Sequence, residues 1–364
     1  MDHKIALISD IHFGCRNNSE KYLTIMKDFF LNTLVNTLEE KKITDLRILG
    51  DLFDNRNNIN IRTMNTVLFV FREIYKKLPD LQVSILLGNH DIYYHNRIDI
   101  NSLECLREIP NITIIDKLTE ETINNKKIVM VPWMVKDSEV YNDFIRISKG
   151  KTQYDLCLGH FEIKDFEMVR GIKDETGLDH NIFSIFKKVY SGHYHIRNTI
   201  NNMSYLGCPY QLTWNDYGDT KGIHIYDVNT GLTEFVENKD SPCFVRLTME
   251  DIVNKNKKII QKVSNNFVKL VIEKKYKESF IIKVINKLEN MNPLKLDIQN
   301  DYVDTYEISD IDTKDFKDLS DPLSLLLRYI DDFNDNLEND TEVCPKELKD
   351  YLRELYELAL REND

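Results

Sequence analysis

No stretch of this 364-residue chain approaches the roughly 18 consecutive apolar residues that a bilayer-spanning helix needs. The segment Met1 to Asp10 reads as a strand and has no apolar core leading to a small-residue cleavage site, so secretion is not expected. No C-x-x-C pair occurs among Cys15, Cys105, Cys157, Cys208, Cys243 and Cys344. That excludes a zinc ribbon or a disulfide framework and reads as small buried residues in a reducing, cytoplasmic compartment. Internal repeats and low-complexity tracts are also missing. What remains is 42% hydrophobic and 30% charged, a globular composition. The length exceeds one ordinary domain of roughly 100–200 residues, so one large domain with appendages is expected.

A basic excess is missing too. The net charge of −12 taken alone argues against a nucleic-acid enzyme, whose footprint is usually basic. The charge is unevenly placed, however. Residues 301–364 hold 20 Asp and Glu against 7 Lys and Arg, whereas residues 1–300 carry a net of +1. Within that body, residues 251–300 have 11 basic and 5 acidic side chains. A near-neutral body, a basic segment and an acidic tail point to different partners for different parts.

Up to about residue 230, short β-branched runs alternate with longer amphipathic stretches. The runs are Ile5–Ser9, Leu46–Leu49, Val83–Leu87, Ile128–Val131, Leu156–Leu158, Val189–Ser191, Ser204–Leu206 and Ile223–Val228. Between the first three, Tyr22–Glu40 and Met64–Leu78 place apolar residues at three- and four-residue steps, which predicts helices. The alternation argues for α/β layering. Val67–Leu78 is apolar enough for either core or a contact between subunits. A small α+β region is expected next, with strands around Phe244–Leu247, Val268–Ile272 and Asp304–Ile308 and a helix at Ser279–Glu289. Beyond it, Asp321 and Pro322 can open a helix whose Leu323, Leu326, Leu327, Ile330, Phe333 and Leu337 form one stripe. Pro345 opens a second, with Leu348, Leu352, Leu355 and Ala359 on a seam. This pair is either a hairpin packed on its own protein or an arm that takes another chain's helices.

Five of the nine histidines lie in short motifs beside Asp, Asn or Gly, and each motif follows an apolar strand. In order, the motifs are Asp10-x-His12, Gly50-Asp51-x-x-Asp54, Gly88-Asn89-His90-Asp91, Gly159-His160 and Gly192-His193-x-His195. Carboxyl ends of strands are where open α/β sheets build their sites. The spacings between the first three motifs suffice for strand–helix–strand crossovers. Imidazoles mixed with carboxylates suit borderline divalent ions such as Mn²⁺, Zn²⁺ or Fe²⁺. Residues two apart in an extended strand end point the same way, so Asp10 with His12, and His193 with His195, can each aim two ligands into one cavity. Asp51 can bridge two ions, and Asn89 offers a neutral oxygen. A lone Gly-His means nothing, but five ordered motifs form a specific signal. His3, His95, His180 and His224 have no such context and read as surface or packed histidines.

These motifs resemble the calcineurin-like metallophosphoesterase superfamily. Ser9–Gly14, Gly50–Asp54 and Ser191–His195 narrow the resemblance to SbcD-type DNA-repair nuclease subunits, and among these to the recombination endonuclease subunits of T-even-like phages. Tyr205–Tyr210 leading to Asn215–Asp219, and the terminal helix pair, carry the same likeness. Asp54 departs from relatives with a histidine there. The resemblance implies a layered α/β sandwich of two sheets flanked by helices, with a small α+β capping domain and a C-terminal helical hairpin. Its domains would be a nuclease domain at 1–238, a DNA-binding cap at 239–310 and a helix-loop-helix arm at 311–364. It implies two divalent ions, Mn²⁺ with Mg²⁺ as the alternative. Asp10, His12 and His195 would hold one ion, and Asn89, His160 and His193 the other, with Asp51 between them. His90 would be the general acid, while Asp54 and Asp91 would orient ligands or backbone. The expected activity is exonucleolytic on DNA ends, with endonuclease action on single strands or hairpins, in recombination, repair and replication. The expected partners are DNA, an SbcC-type ABC ATPase gripped by residues 320–364, and a second copy of the chain in a 2:2 complex. A phage-encoded protein would work in its host's cytoplasm. The alternatives are another binuclear phosphoesterase, such as a phosphoprotein phosphatase or cyclic-nucleotide phosphodiesterase, and a non-catalytic DNA-tethering scaffold.

Overall fold

The computed structural model describes residues 3–301 and Lys349. Contacts divide the chain into one unit of Met1–Tyr302 and another of Val303–Asp364. The expected strand Asp304–Ile308 and both helices of the arm lie outside the described residues.

Two six-stranded sheets form the body of the first unit. The first sheet contains β1 (Lys4–Ile8), β2 (Asp45–Ile48), β3 (Gln82–Leu86) and β4 (Ile112–Ile115). The second contains β5 (Thr119–Ile123), β6 (Lys126–Val131) and β7 (Tyr154–His160). A short hairpin, β8 (Glu167–Val169) and β9 (Ile172–Lys173), leads to its remaining strands, β10 (Phe186–Gly192), β11 (Asn198–Ile200) and β12 (Met203–Tyr205). The chain then returns to the first sheet with β13 (Gly222–Asp227) and β14 (Thr233–Glu237). The strand orders are β14-β13-β1-β2-β3-β4 and β11-β12-β10-β7-β6-β5. From β1 to β4 the pairing is parallel, as the intervals between the first three motifs require. All eight predicted β-branched runs fall on strands. The strands missed by sequence are shorter or more polar, such as Thr-Glu-Glu-Thr-Ile in β5.

Side-chain alternation explains the layering. Ile5 and Leu7 of β1 join Leu156 and Leu158 of β7 in the core between the two sheets. Ala6 and Ile8 point the other way, into the core beneath the helices. Both faces of β1 are therefore apolar, as expected of a central strand covered on both sides. Helix Ile61–Lys77 covers the first sheet through Val67, Val70, Phe71 and Ile74, so most of the apolar stretch seen in the sequence is core. Leu68 and Phe69 on its other face are each 38% exposed. Helix Glu139–Ser148 covers the second sheet through Val140, Phe144 and Ile147. The predicted helix Tyr22–Glu40 is split into Glu20–Asp28, a π-helical turn Phe29–Leu34, and Val35–Lys41.

A third sheet, β15 (Phe244–Thr248), β16 (Phe267–Ile272) and β17 (Lys295–Asn300), is wholly parallel. Helix Glu278–Glu289 packs on it through Val284 and Leu288. β17 was not anticipated, because Lys-Leu-Asp-Ile-Gln-Asn is largely polar. An edge strand tolerates that, since most of its side chains stay near solvent. Among the described residues no helix is long and apolar enough to cross a membrane.

Candidate metal centre

The five motifs converge at the carboxyl ends of β1, β2, β3, β7 and β10. Three groups of side chains there place donor atoms within 4.8 Å of one another: Asp10, His12 and His195; His12, Asp51 and His90; Asp51, His160 and His193. Asp51 is central and 1% exposed. Its Oδ2 lies 3.4 Å from His160 Nε2 and 3.8 Å from His12 Nε2. Asn89 Oδ1 lies 3.0 Å from His160 Nε2 and 2.8 Å from His193 Nδ1. On the other side, His12 Nε2 and His195 Nε2 are 3.0 Å apart. One oxygen of the buried Asp10 accepts the His193 backbone N–H at 2.9 Å, while Oδ2 is buried with no hydrogen-bond partner among the described residues. A buried carboxylate oxygen without a partner is costly unless a cation meets it. The converging nitrogens and carboxylates therefore fit divalent ions.

The ligand loops do not continue the strands. Asp10, His12, Asp51 and His193 have φ of 55°, 54°, 53° and 100°. The expectation that Asp10 with His12, and His193 with His195, sit on extended strand ends is thus corrected: the backbone turns left-handed at three of those four residues. The side chains are brought together by tight turns, and such sparsely populated conformations recur at functional sites. Gly88 is required by proximity, since a Cβ there would lie 2.1 Å from Asp51 Oδ1.

A hydrogen bond from the far side of the His160 ring fixes its tautomer. His160 Nδ1 lies 2.7 Å from the Leu49 carbonyl, which can only accept, so Nδ1 holds the proton and Nε2 faces the cluster with a lone pair. Asp54 Oδ1 lies 3.2 Å from His12 Nδ1, on the far side of that ring. Asp91 sits behind the cluster, accepting from the backbone N–H groups of Gly88, Phe53 and Leu52 at 3.0, 3.1 and 3.4 Å. Burial, then the nearby Asp51, pushes its carboxyl up to about 6. His90 donates its backbone N–H to Asp51 Oδ1 at 2.8 Å, and its Nδ1 lies 2.6 Å from the Asp54 carbonyl. Burial and the neighbouring His12 push the His195 ring down to about 4.

The calcineurin-like phosphoesterase profile matches residues 3–197, more than half of the chain. The chain belongs to the calcineurin-like phosphoesterase family. It is accordingly a hydrolase with a metal site, and these phosphoesterases use two divalent ions. Exonuclease subunit 1 of Enterobacteria phage T4 is 27% identical over 366 residues, covering 97% of this chain and 98% of the phage protein. A putative phosphoesterase, 078R, of Invertebrate iridescent virus 3 is 26% identical over 133 residues, 36% of this chain and 35% of that protein. Among solved structures, a dimetal phosphatase from Danio rerio is 14% identical with a TM-score of 0.38, covering 62% of this chain and 92% of its own. A novel archaeal phosphodiesterase is 13% identical with a TM-score of 0.33, covering 65% and 99%.

Two features of this phosphoesterase's centre were missed in the sequence. Lys221 is 5% exposed, and its ammonium donates to the His195 carbonyl at 2.6 Å and to Asp216 Oδ1 at 2.7 Å, with Asp219 at 2.9 Å. Asp216 Oδ2 in turn accepts from the backbone of Leu212 and Thr213. A buried ion pair thus fixes the loop that carries His195. The Asn215–Asp219 motif had signalled family likeness but no role. Lys221→Met is expected to weaken Mn²⁺ binding about 10–100-fold, as loss of a residue supporting a ligand does. It is also expected to lower stability by about 3 kcal/mol, by leaving buried Asp216 unpaired. Titration calorimetry and thermal melting read the two effects, and unchanged affinity would refute the positioning role. The other missed residue is His95, read from sequence as context-free. It lies 2.6 Å from the Arg56 guanidinium beside Asn89, in a 210 Å³ pocket. His3, His180 and His224 do make ordinary contacts. His3 meets Asp45, His180 meets the Lys164 carbonyl, and His224 is buried and pushed down to about 3 by burial, then by Arg197.

Proposed function

We propose that the chain is the nuclease subunit of a DNA-processing complex, cleaving phosphodiesters at DNA ends and in single strands or hairpins. The observation that carries this is the convergence of Asp10, His12, Asp51, Asn89, His160, His193 and His195 in a chain related to a phage exonuclease subunit over nearly its full length. Asp10, His12 and His195 would hold one ion, and Asn89, His160 and His193 the other, with Asp51 shared. The mixed nitrogen and oxygen donors suit borderline divalent ions, and the ions would be Mn²⁺, with Mg²⁺ as the alternative. When bound, the ions supply Lewis-acid neutralisation of phosphate charge and acidify the attacking water.

The chain's own residues do the rest. His90 carries a proton on Nδ1 held by the Asp54 carbonyl, so its Nε2 is the edge that can deliver a proton to the leaving 3′ oxygen. Asp54 and Asp91 keep His12 and the two ligand loops in place. No nucleophilic serine or cysteine is needed, so no covalent intermediate forms. DNA contact falls to the metal centre and to residues 239–310, where Lys255, Lys257, Lys258 and Lys262 are exposed. Binding through such lysines weakens steeply with salt. Residues 311–364 would grip the SbcC-type ATPase, and the complex would be 2:2.

The deciding experiment compares hydrolysis of linear duplex DNA, a generic phosphate diester and a phosphopeptide in Mn²⁺. Preference for DNA is expected. Hydrolysis of the phosphopeptide alone would favour a protein phosphatase, and cleavage of none would favour a tethering scaffold. Deleting residues 320–364 is expected to abolish co-purification with a co-expressed ATPase while metal-dependent cleavage persists. Equal retention of the ATPase by the shortened chain would refute the arm.

A further inference from the structure

A cavity of 440 Å³ opens beside His160. Trp133, Met134, Leu178 and Ile182 supply apolar lining, and Lys136 and Asp179 polar lining. Trp133 stands two residues beyond the end of β6, and its backbone N–H donates to the Leu87 carbonyl at 2.7 Å, just ahead of the Asn89 loop. The ring is therefore held to the same loop system as the metal ligands. It lies 5.2 Å from the His193 ring and 5.9 Å from the His160 ring, centroid to centroid. The same side chain also borders the 210 Å³ pocket of Arg56 and His95. Trp133 is thus a half-buried aromatic wall between two cavities, both touching the metal centre.

We infer that this cavity is a nucleobase subsite, in which Trp133 stacks on the base of the nucleotide whose 5′ phosphate is attacked. The inference rests on the phosphodiesterase reading above and deepens it by naming the group recognised. A phosphate bound at the ion that Asn89, His160 and His193 would hold has its attached nucleoside beside these rings, and the indole stands 5.2 Å from His193 and 5.9 Å from His160. Among groups esterified to phosphate, a nucleobase matches this wall best: it is flat, aromatic and edged with hydrogen-bonding atoms that Lys136 and Asp179 can meet. A serine or threonine phosphoester presents no ring. Every base has a π-face, so the subsite distinguishes nucleotides from other esters without reading sequence.

Base–aromatic stacking is worth about 1–3 kcal/mol, which corresponds to roughly 5–150-fold in binding. The test compares two esters with the same leaving group in Mn²⁺, thymidine 5′-(p-nitrophenyl phosphate) and methyl p-nitrophenyl phosphate. The wild type is expected to prefer the thymidine ester, and Trp133→Ala to lower that preference about 5–150-fold, chiefly through KM. Trp133→Phe is expected to restore most of it. Binding is read independently in Trp214→Phe, which leaves Trp133 as the sole indole, since the chain has only two tryptophans. Thymidine monophosphate is expected to quench its fluorescence, and methyl phosphate is not. An unchanged preference in Trp133→Ala, or no quenching by the nucleotide, overturns the subsite. Failure of the wild type to hydrolyse either ester overturns the phosphodiesterase reading itself.

Discussion

Replacing His90 by Asn is expected to slow Mn²⁺-dependent cleavage of linear duplex DNA by about 10²–10⁴-fold, the usual worth of a positioned general acid. The backbone N–H of His90 is held by Asp51 Oδ1 and its Nδ1 by the Asp54 carbonyl. A carbonyl accepts and never donates, so Nδ1 must carry hydrogen, and only Nε2 can supply a proton to the departing oxygen. Asparagine keeps the backbone bond to Asp51 and cannot supply that proton. The variant should therefore still bind two ions by metal analysis. Its defect should shrink on a p-nitrophenyl ester, whose leaving group needs no protonation. Undiminished DNA cleavage would end the general-acid assignment, and loss of bound metal would recast His90 as a ligand.

The second large effect is expected at Asp51. Although burial opposes its charge, the surrounding His160, His12 and His90 hold its carboxyl well below the usual range when those rings carry protons, and a bound divalent ion would take the place of those charges. It is the one carboxylate that joins two of the three donor groups. Asp51→Asn preserves the shape and the left-handed backbone, which Asn tolerates better than most residues, but removes the shared negative charge. Metal stoichiometry is expected to fall below two. Lewis-acid stabilisation worth several kcal/mol would go with it, lowering activity at least about 10³-fold. Mass spectrometry of the native protein, with a melting curve to show that the fold survives, reads this directly. Two ions bound in the variant would refute the shared role of Asp51.

The net charge of −12 illustrates how an average can mislead. The deficit lies beyond residue 300, in the proposed partner-binding arm, whereas the body that carries the metal centre is close to neutral. Bound divalent ions would make the centre positive. The sign of the whole chain therefore says nothing about what the centre attracts.

Much of the centre could be read from the chain because its chemistry is local. A ligand placed one or two residues after an apolar strand needs only a strand-sized hydrophobic run and a glycine or acidic residue to be noticed. Five such places in order made the donor set legible before any coordinates. Tertiary structure decided which donors meet and how. The left-handed turns at Asp10, His12, Asp51 and His193 follow from the packing of separate loops on one another, not from local propensity. Lys221 meets the His195 carbonyl across 26 residues, and Trp133 stands against His193 across 60. Neither has a periodic or motif signature, because a contact between distant segments leaves no regular spacing in the chain. By itself the sequence determined the layered α/β class and the kinds of atoms available for metal. Only the fold decided their convergence, the buried ion pair that steadies them, and the aromatic wall beside them.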